Sequence, residues 1–452
     1  MHLIRIICME QINKNQAKAS SGTGGVSLVI AGAGTGKTTT MIRKIINCID
    51  AGIVTPERIL IMTFSRKAAE EIRERISRNS SSTGEIGFAG TYHSFSLKLL
   101  KEYSSGYLIM KEQPSFPSVI REEDKEKAMR NIVMRDPGRF SGVPYDAVLS
   151  IAENLERLPD YMMKKLRNSP LYNELLNVKD EYRRYKASGN LIDYEDMIDD
   201  AALLLETNPV IRSDVNSRFT YIFVDEFQDT SENNLRLLNA LVPETGRNLF
   251  MVGDDFQSIY AFRAARVEYL INIKKYFPET EIHKLTMNYR SRKEIVKLSN
   301  RFIRLNRFRT DKSIKSFRGK GGRVIFHQAE NAISEAGIIS RIICRDSSTK
   351  NTGILYRNNS QGEIIRKHSG QNLNDSVNLM TMHASKGLEF ERVIIAGISD
   401  RIIPDRASDI EEERRLFYVA MTRAKDEMHL IYYKNSNGRL PRFIWELGFR
   451  ED

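Results

Sequence analysis

Cysteine is scarce in this 452-residue chain: only Cys8, Cys48 and Cys344 occur, far apart, beside a single tryptophan. Isolated cysteines argue against a disulfide framework, an iron–sulfur cluster or a zinc ribbon. Neither H-E-x-x-H nor C-x-x-C is present, so no structural metal is expected. No apolar run approaches the roughly 18–20 residues of a membrane span. The opening MHLIRIICM is too short for a signal peptide and lacks a cleavage site. The expectation is a cytoplasmic protein with no membrane partner. With 27 Gly and 12 Pro, the chain is neither collagen-like nor wholly disordered.

Hydrophobic residues make up 41%, and the length suits about two to four compact units. Lys and Arg number 69 against 58 Asp and Glu, a net charge of +11. Such a balance suits a polyanionic partner, most simply nucleic acid, or serves solubility alone.

Short apolar runs alternate with helical patterns. Strands are expected at VSLVIA (26–31), RILIMTF (58–64), YIFVDEF (221–227), LFMVGDD (249–255), GILYR (353–357), RVIIAGI (392–398) and EMHLIYY (427–433). Helices are expected at 38–52 and 67–76. This alternation implies parallel sheets of the α/β class. Residues from about 97 to 190 are rich in Lys, Glu, Arg, Leu and Met and read as a helical insertion. Two α/β halves remain, roughly 1–283 without the insertion and 284–452. The run Asn79 to Thr83 reads as a polar loop.

AGAGTGKT (31–38) lies between an expected strand and helix. A loop before a helix N-terminus offers several N–H donors and the positive end of the helix dipole to β- and γ-phosphates. Lys37 would reach those oxygens and the Thr38 hydroxyl would ligate Mg²⁺. Ala31 stands where the general pattern has Gly, while Gly32 and Gly34 keep the loop flexible. VDEFQDT (224–230) ends a strand with two acids. One acid beside Mg²⁺ and one to activate water is what phosphoanhydride hydrolysis requires. Asp225 suits the first role and Glu226 the second.

In order along the chain, TFSRKAAEEI (63–72), GTYHSF (90–95), DYEDMI (193–198), VDEFQDT, VGDDFQSIYAFRAA (252–265), LTMNYRS (285–291), LMTMHASKGLEF (379–390) and EEERRLFYVAMTRAK (411–425) follow the phosphate loop. With these motifs the sequence resembles the UvrD/Rep-type helicases of superfamily 1, over nearly its whole length. The resemblance implies two RecA-like P-loop domains with parallel sheets. The first would comprise 1–96 and 191–283, with a helical insertion at 97–190, and the second 284–452. It implies ATP and Mg²⁺ as cofactors and 3′→5′ movement on single-stranded DNA. It places Gln16, in QINKNQAKA, on adenine, with Ala31, Gly32, Ala33, Gly34, Thr35, Gly36, Lys37, Thr38 and Thr39 around the phosphates. It puts Tyr289 against the base, Glu389 on the ribose, and Arg290 and Arg423 as arginine fingers. Gln257 would sense the γ-phosphate. Phe64, Tyr260 and Phe262 would stack on DNA bases, with Arg263, Thr91, His93, Thr381, His383, Ser385 and Lys386 on phosphate or sugar.

The chain also departs from that family. Only residues 362–378 separate Gln361 from Leu379, too few for the 2B accessory subdomain of larger members. The turn KNSNGR (434–439) leaves little room for a strand-splitting pin, and Asn437-Gly438 suits a tight turn. Thr39 and Arg66 stand where the family often has Arg and Asn. Translocation with weak unwinding is therefore expected. An alternative is a DNA-stimulated ATPase that acts as sensor or regulatory subunit of a partner nuclease, in repair or antiviral defence. A P-loop kinase or GTPase would leave the later motifs without purpose. RFIRLNRFRTDKSIKSFRGKGGR (301–323), with nine cations against Asp311, is either part of a phosphate-binding face or plain solvated surface.

Overall fold

A computed structural model describes residues 12–450 apart from 23, 81, 83, 136–139, 141–147, 150, 153–154, 156–159, 244–245, 345–350, 370–375, 401 and 406–407. Cys8 and part of the stretch near 362–378 thus lie outside the described residues, as do Ser81 and Thr83 of the polar loop. The fold is α/β, with parallel strand pairs in both large sheets. The first sheet has six strands: β1 (Gly25–Ala31), β2 (Ile59–Thr63), β3 (Phe88–Thr91), β6 (Tyr221–Val224), β7 (Asn248–Gly253) and β8 (Glu281–Leu285). Their order is β3-β2-β6-β7-β1-β8. β4 (Ser118–Val119) and β5 (Leu191–Ile192) form a separate short pair, as do β9 (Met287–Asn288) and β10 (Lys315–Ser316). The other large sheet comprises β11 (Arg323–Gln328), β12 (Thr352–Tyr356), β13 (Val377–Thr381), β14 (Phe390–Ile398) and β15 (Ala424–Tyr432), in the order β11-β15-β14-β12-β13.

The buried runs explain the inner strands. All five residues of β2 are buried, as are Leu28 to Ala31 of β1, the pattern of a strand covered on both faces. The helix Lys37–Asp50 follows β1 and buries Met41, Ile42, Ile45, Ile46 and Ile49 on one stripe. Local capping sets other boundaries. Ser65 accepts from the Ala68 N–H at the start of helix Arg66–Asn79, and Asp193 forms a capping box with Asp196. Asp409 caps Ile410–Met421, whose first turn carries Glu411, Glu412 and Glu413 beside the positive helix end.

By packing, the chain divides into two compact units. The first holds residues 1–28, 38–253 and 260–282, and the second 29–37, 254–259 and 283–452. The phosphate loop and the segment 254–259 thus group with the second unit, a grouping that sequence order does not reveal. Within the first unit, the helices Glu122–Met134 and Leu171–Ser188 share a core of their own, with Met129, Ile132, Leu175 and Val178 buried in it.

Several strands end earlier than their apolar runs. β6 stops at Val224, because Glu226 takes a left-handed backbone (φ 51°) and Phe227–Asp229 coil into a 3₁₀ turn. β7 stops at Gly253. Eight of the described strands arise where none is expected from sequence: β3, β8, β11 and β13 in the large sheets, and β4, β5, β9 and β10 in the short pairs. Asn437-Gly438 does sit in a tight turn, with Gly438 at φ 71° and the Asn435 N–H donating to the Arg439 carbonyl. Among the described residues no helix is long and apolar enough to cross a membrane.

Candidate active site and nucleic-acid interface

In the second unit the phosphate loop is held from beneath by residues 285–291. Gly34 and Gly36 have φ of 65° and 80°, so glycine is needed at both, whereas Ala31 adopts an ordinary strand conformation. This explains how the loop tolerates Ala31. A Cβ on Gly32 would lie 2.3 Å from Ile314, and one on Gly34 would lie 2.7 Å from the Arg290 Cβ. The Tyr289 N–H donates to the Gly34 carbonyl at 2.8 Å, and the Asn288 amide donates to the Ala33 carbonyl at 2.7 Å. Thr35 is buried and donates its hydroxyl to the Gly32 carbonyl. Several loop carbonyls are thereby occupied on the protein side, and the loop runs straight into the helix that starts at Lys37. Asn288 is a site residue that sequence reading missed. Its only signal is an amide directly before Tyr-Arg-Ser, and its oxygen also accepts from the Arg290 and Ser291 N–H groups.

In the first unit the acids cluster at the end of β6. The Thr38 hydroxyl lies 3.3 Å from Asp225 Oδ2 and donates to it, so the two expected metal-side groups are adjacent. The other Asp225 oxygen accepts from the Glu226 N–H at 3.0 Å. The left-handed Glu226 backbone is a strained conformation that surrounding structure must hold. Gln228 does part of this: its amide donates to Glu226 Oε2 and to Asp229 Oδ2. Gln228 is wholly buried, and a Cβ on Gly253 would press on its oxygen at 3.0 Å. Thr39 accepts from Arg75 at 2.9 Å, which brings a guanidinium beside the position where the family often has Arg. Gln16 is buried and its oxygen accepts from the Asn13 N–H in the capping box of helix Lys14–Ser21.

The two expected arginine fingers sit in the second unit. Arg290 pairs with Glu389 at 2.8 Å and donates to the Thr422 carbonyl. Burial works against the Glu389 charge, but Lys425 and Arg290 outweigh it and hold the carboxyl below the usual glutamate range. Arg423 is almost fully buried and donates to the carbonyls of Val419 and Leu388 and, at 2.8 Å, to the Gln257 amide oxygen. The Gln257 nitrogen donates to Asp254, and Lys386 donates to the Gln257 backbone carbonyl at 3.1 Å. Tyr289 packs its ring 5.0 Å from that of Phe317.

On the expected nucleic-acid side, the first unit presents an aromatic platform. Phe64 stacks on Tyr260 with centroids 5.0 Å apart and planes 16° apart, and Phe262 meets Tyr260 edge-on at 5.8 Å. The Arg263 guanidinium lies 5.6 and 5.7 Å from the Tyr260 and Phe262 rings. Phe64 and Phe262 are exposed. Thr91 spends its hydroxyl capping helix Tyr92–Glu102. His93 packs edge-on against Tyr194, and burial lowers its pKa against the pull of Glu195. In the second unit, Thr381 accepts from the Ala384 N–H in the turn after β13, and His383 in that turn is half-buried. Ser385 is buried and gives its hydroxyl to the Met382 carbonyl, so it shapes the turn rather than offering a surface contact.

The basic stretch 301–323 is not one uniform face. Lys312 is buried between Asp254 and Asp255, at 2.6 and 2.5 Å, and so leaves the surface footprint that the sequence suggests. Arg318 pairs with Asp426 and Arg323 with Glu427. The charge count exposes none of these pairings, because the partners lie far away in sequence.

Residues 12–278 match the UvrD/REP helicase N-terminal domain, and residues 283–369 and 365–435 match the UvrD-like helicase C-terminal domain. The chain is 27% identical over 367 residues to the ATP-dependent DNA helicase PcrA of Staphylococcus aureus, covering 79% of this chain and 49% of that protein. The PcrA of Staphylococcus epidermidis gives the same figures. A probable DNA helicase of Mycoplasma pneumoniae is 28% identical over 445 residues, covering 94% of this chain and 83% of that one. The chain spans about half the length of the PcrA relatives it matches.

Proposed function

Because the chain belongs to the UvrD/REP helicase family, we propose that it is an ATP-driven motor that moves 3′→5′ along single-stranded DNA. The observation that carries this reading is the position of Gln257. Its side chain meets the Arg423 guanidinium, while its carbonyl accepts from Lys386, an expected DNA contact. Three residues further on, Tyr260 is the centre of the aromatic platform. A residue tied both to a phosphate-reading guanidinium and to a strand contact is what coupling of hydrolysis to movement needs.

In this reading Lys37 and the loop N–H groups bind the β- and γ-phosphates. Thr38 and Asp225 would hold Mg²⁺, with phosphate oxygens and water completing its shell, and the ion would neutralise charge at the β/γ oxygens. Glu226 takes a proton from the attacking water. Arg290 and Arg423 stabilise the charge on the transferring phosphoryl group. To reach it, Arg290 exchanges its Glu389 partner for phosphate. Gln16 and Tyr289 hold adenine, and Glu389, relieved of Arg290, binds ribose. Phe64, Tyr260 and Phe262 stack on bases without sequence preference. With only residues 362–378 at the 2B insertion point, unwinding is weaker than translocation.

The test is ATP hydrolysis with single-stranded DNA, duplex and RNA, followed by polarity on the best activator and strand displacement on a forked duplex. Stimulation by single-stranded DNA, 3′→5′ movement and poor displacement are expected. Turnover indifferent to polynucleotide would remove the motor.

A further inference from the structure

Lys312 belongs to none of the motifs that carry the family resemblance, yet its surroundings are unusually specific. Its ammonium is fully buried, as are the carboxylates of Asp254 and Asp255 that it meets. It also lies 4.0 Å from the centroid of the Phe256 ring. Thr310 binds the far side of Asp255 through its N–H and its hydroxyl, both at 2.7 Å. Burial opposes the Lys312 charge, but the two aspartates more than offset this and hold its pKa above the usual lysine value. The cluster therefore pins the Asp254 carboxylate between the Lys312 ammonium and the Gln257 amide.

That anchoring matters for Gln257. An ionised carboxylate only accepts hydrogen bonds, and a guanidinium only donates. The Gln257 amide lies between one of each, Asp254 at 2.5 Å and Arg423 at 2.8 Å. Its nitrogen must face Asp254 and its oxygen must face Arg423. We propose that Lys312 is a positioning residue for ATP turnover: by anchoring the Asp254 carboxylate it fixes the orientation of the Gln257 amide and, through it, the Arg423 guanidinium. The proposal rests on the ATPase reading above and names a device that sets its phosphate-sensing side chain.

Asp254 and Asp255 make the discriminating pair, since both are buried and both bind Lys312. Asp254→Asn lets the Gln257 amide take either orientation, whereas Asp255→Asn leaves the Asp254–Gln257 contact intact. Asp254→Asn is expected to lower DNA-stimulated kcat about tenfold or more with KM for ATP within about twofold, and Asp255→Asn to leave kcat within about twofold. In a Gln257→Ala background, Asp254→Asn should have no further effect. Lys312→Met combined with Asp255→Asn removes the cation without leaving two bare carboxylates. Asp254 then loses the cation that holds it, so this double variant should lower kcat about as much as Asp254→Asn, with KM for ATP within about twofold. Equal losses in Asp254→Asn and Asp255→Asn, or additive losses on Gln257→Ala, would overturn the proposal. A readout independent of turnover is the side-chain amide signal of Gln257 in ¹⁵N-glutamine-labelled full-length protein. It should shift in Asp254→Asn and stay put in Asp255→Asn. An unchanged signal in Asp254→Asn sinks the positioning role, whereas a polynucleotide-indifferent ATPase with the expected shift sinks only the motor reading.

Discussion

The side-chain amide of Gln228 donates a hydrogen bond to the carboxylate of Glu226, two residues earlier on the same tight turn. In the proposed mechanism this bond would orient the carboxylate that takes the proton from the attacking water. A neutral donor orients the base without adding a charge. Replacing Gln228 by Met keeps most of the volume and removes the donor. A hydrogen bond to a charged group is worth about 1.5–3 kcal/mol, so kcat is expected to fall roughly tenfold to a hundredfold with KM for ATP little changed. Steady-state ATPase kinetics beside a melting curve check this. A lower melting temperature with unaltered kcat would make Gln228 core filler only.

Lys37 and Glu226 are expected to fail differently. Lys37→Ala removes the cation from the phosphate loop and should abolish both nucleotide binding and turnover. Glu226→Gln keeps the shape but removes the base, so ATP should still bind while hydrolysis drops by about 10²–10⁴-fold. Titration with a fluorescent ATP analogue separates the two outcomes. Turnover near wild type in either variant would displace the catalytic assignment.

What could be read from sequence follows from what the backbone demands locally. The phosphate loop is legible because Gly34 and Gly36 adopt positive φ between a buried strand and a helix. β2, and β14 from Val393 onward, are legible as unbroken apolar runs. β3 is not, because FAGT is short and small, nor is β8, where EIHKL leaves most side chains at least partly exposed. β11 is only half-buried along most of its length, so its pattern never resembles a core strand. The expected motif residues are brought close in part: Thr38 meets Asp225, Arg423 meets Gln257, and Phe64 meets Tyr260. What stayed hidden depends on distant partners. Lys312 looks like one more surface cation until Asp254 and Asp255 close around it. Asn288 and Arg75 look ordinary until the loop carbonyl and the Thr39 hydroxyl reach them.

The second sheet carries a pH-sensitive element. On neighbouring β11 and β15, the rings of His327 and His429 stack 5.2 Å apart and share a hydrogen bond of 2.9 Å. His429 also bonds Glu427 at 2.8 Å, and Glu427 meets Arg323 and, from β14, Arg392. Because carboxylate only accepts, His429 Nε2 carries the proton, and its Nδ1 accepts from His327. Burial pushes His429 down to about 4 despite the pull of Glu427. The unfolded chain therefore takes up this proton first. Stability is complete above about pH 6.5 and declines as pH falls toward 4, by about 1–3 kcal/mol. Glu427 lies at about 2, because its partners outweigh burial, so its own contribution is lost only as pH falls from about 4.5 toward 2. Melting temperature measured from pH 8 to 4 should show the first decline. His429→Gln, which donates and accepts without titrating, should flatten it, and an unchanged pH profile in that variant would remove His429 as the cause.

The aromatic platform yields the sharpest separation between strand binding and nucleotide chemistry. Phe64 is 38% exposed and Phe262 44%, and both lean on Tyr260. Stacking of one base is worth ~1–3 kcal/mol. Phe64→Ala or Phe262→Ala should therefore weaken single-stranded DNA binding about fivefold to 150-fold, for any base sequence, while ATP hydrolysis without DNA is unchanged. Tyr260→Ala should cost more than either, because it removes the surface on which Phe64 lies as well as its own ring. Arg263→Ala should instead flatten the salt dependence of binding, since a phosphate contact releases counterions and a stack does not. Fluorescence anisotropy with labelled oligonucleotides across a salt series reads all four variants. If the phenylalanine variants bound DNA like wild type but lost DNA stimulation, the rings would be transmitting the signal of a strand held elsewhere, and the platform would no longer be the site of grip.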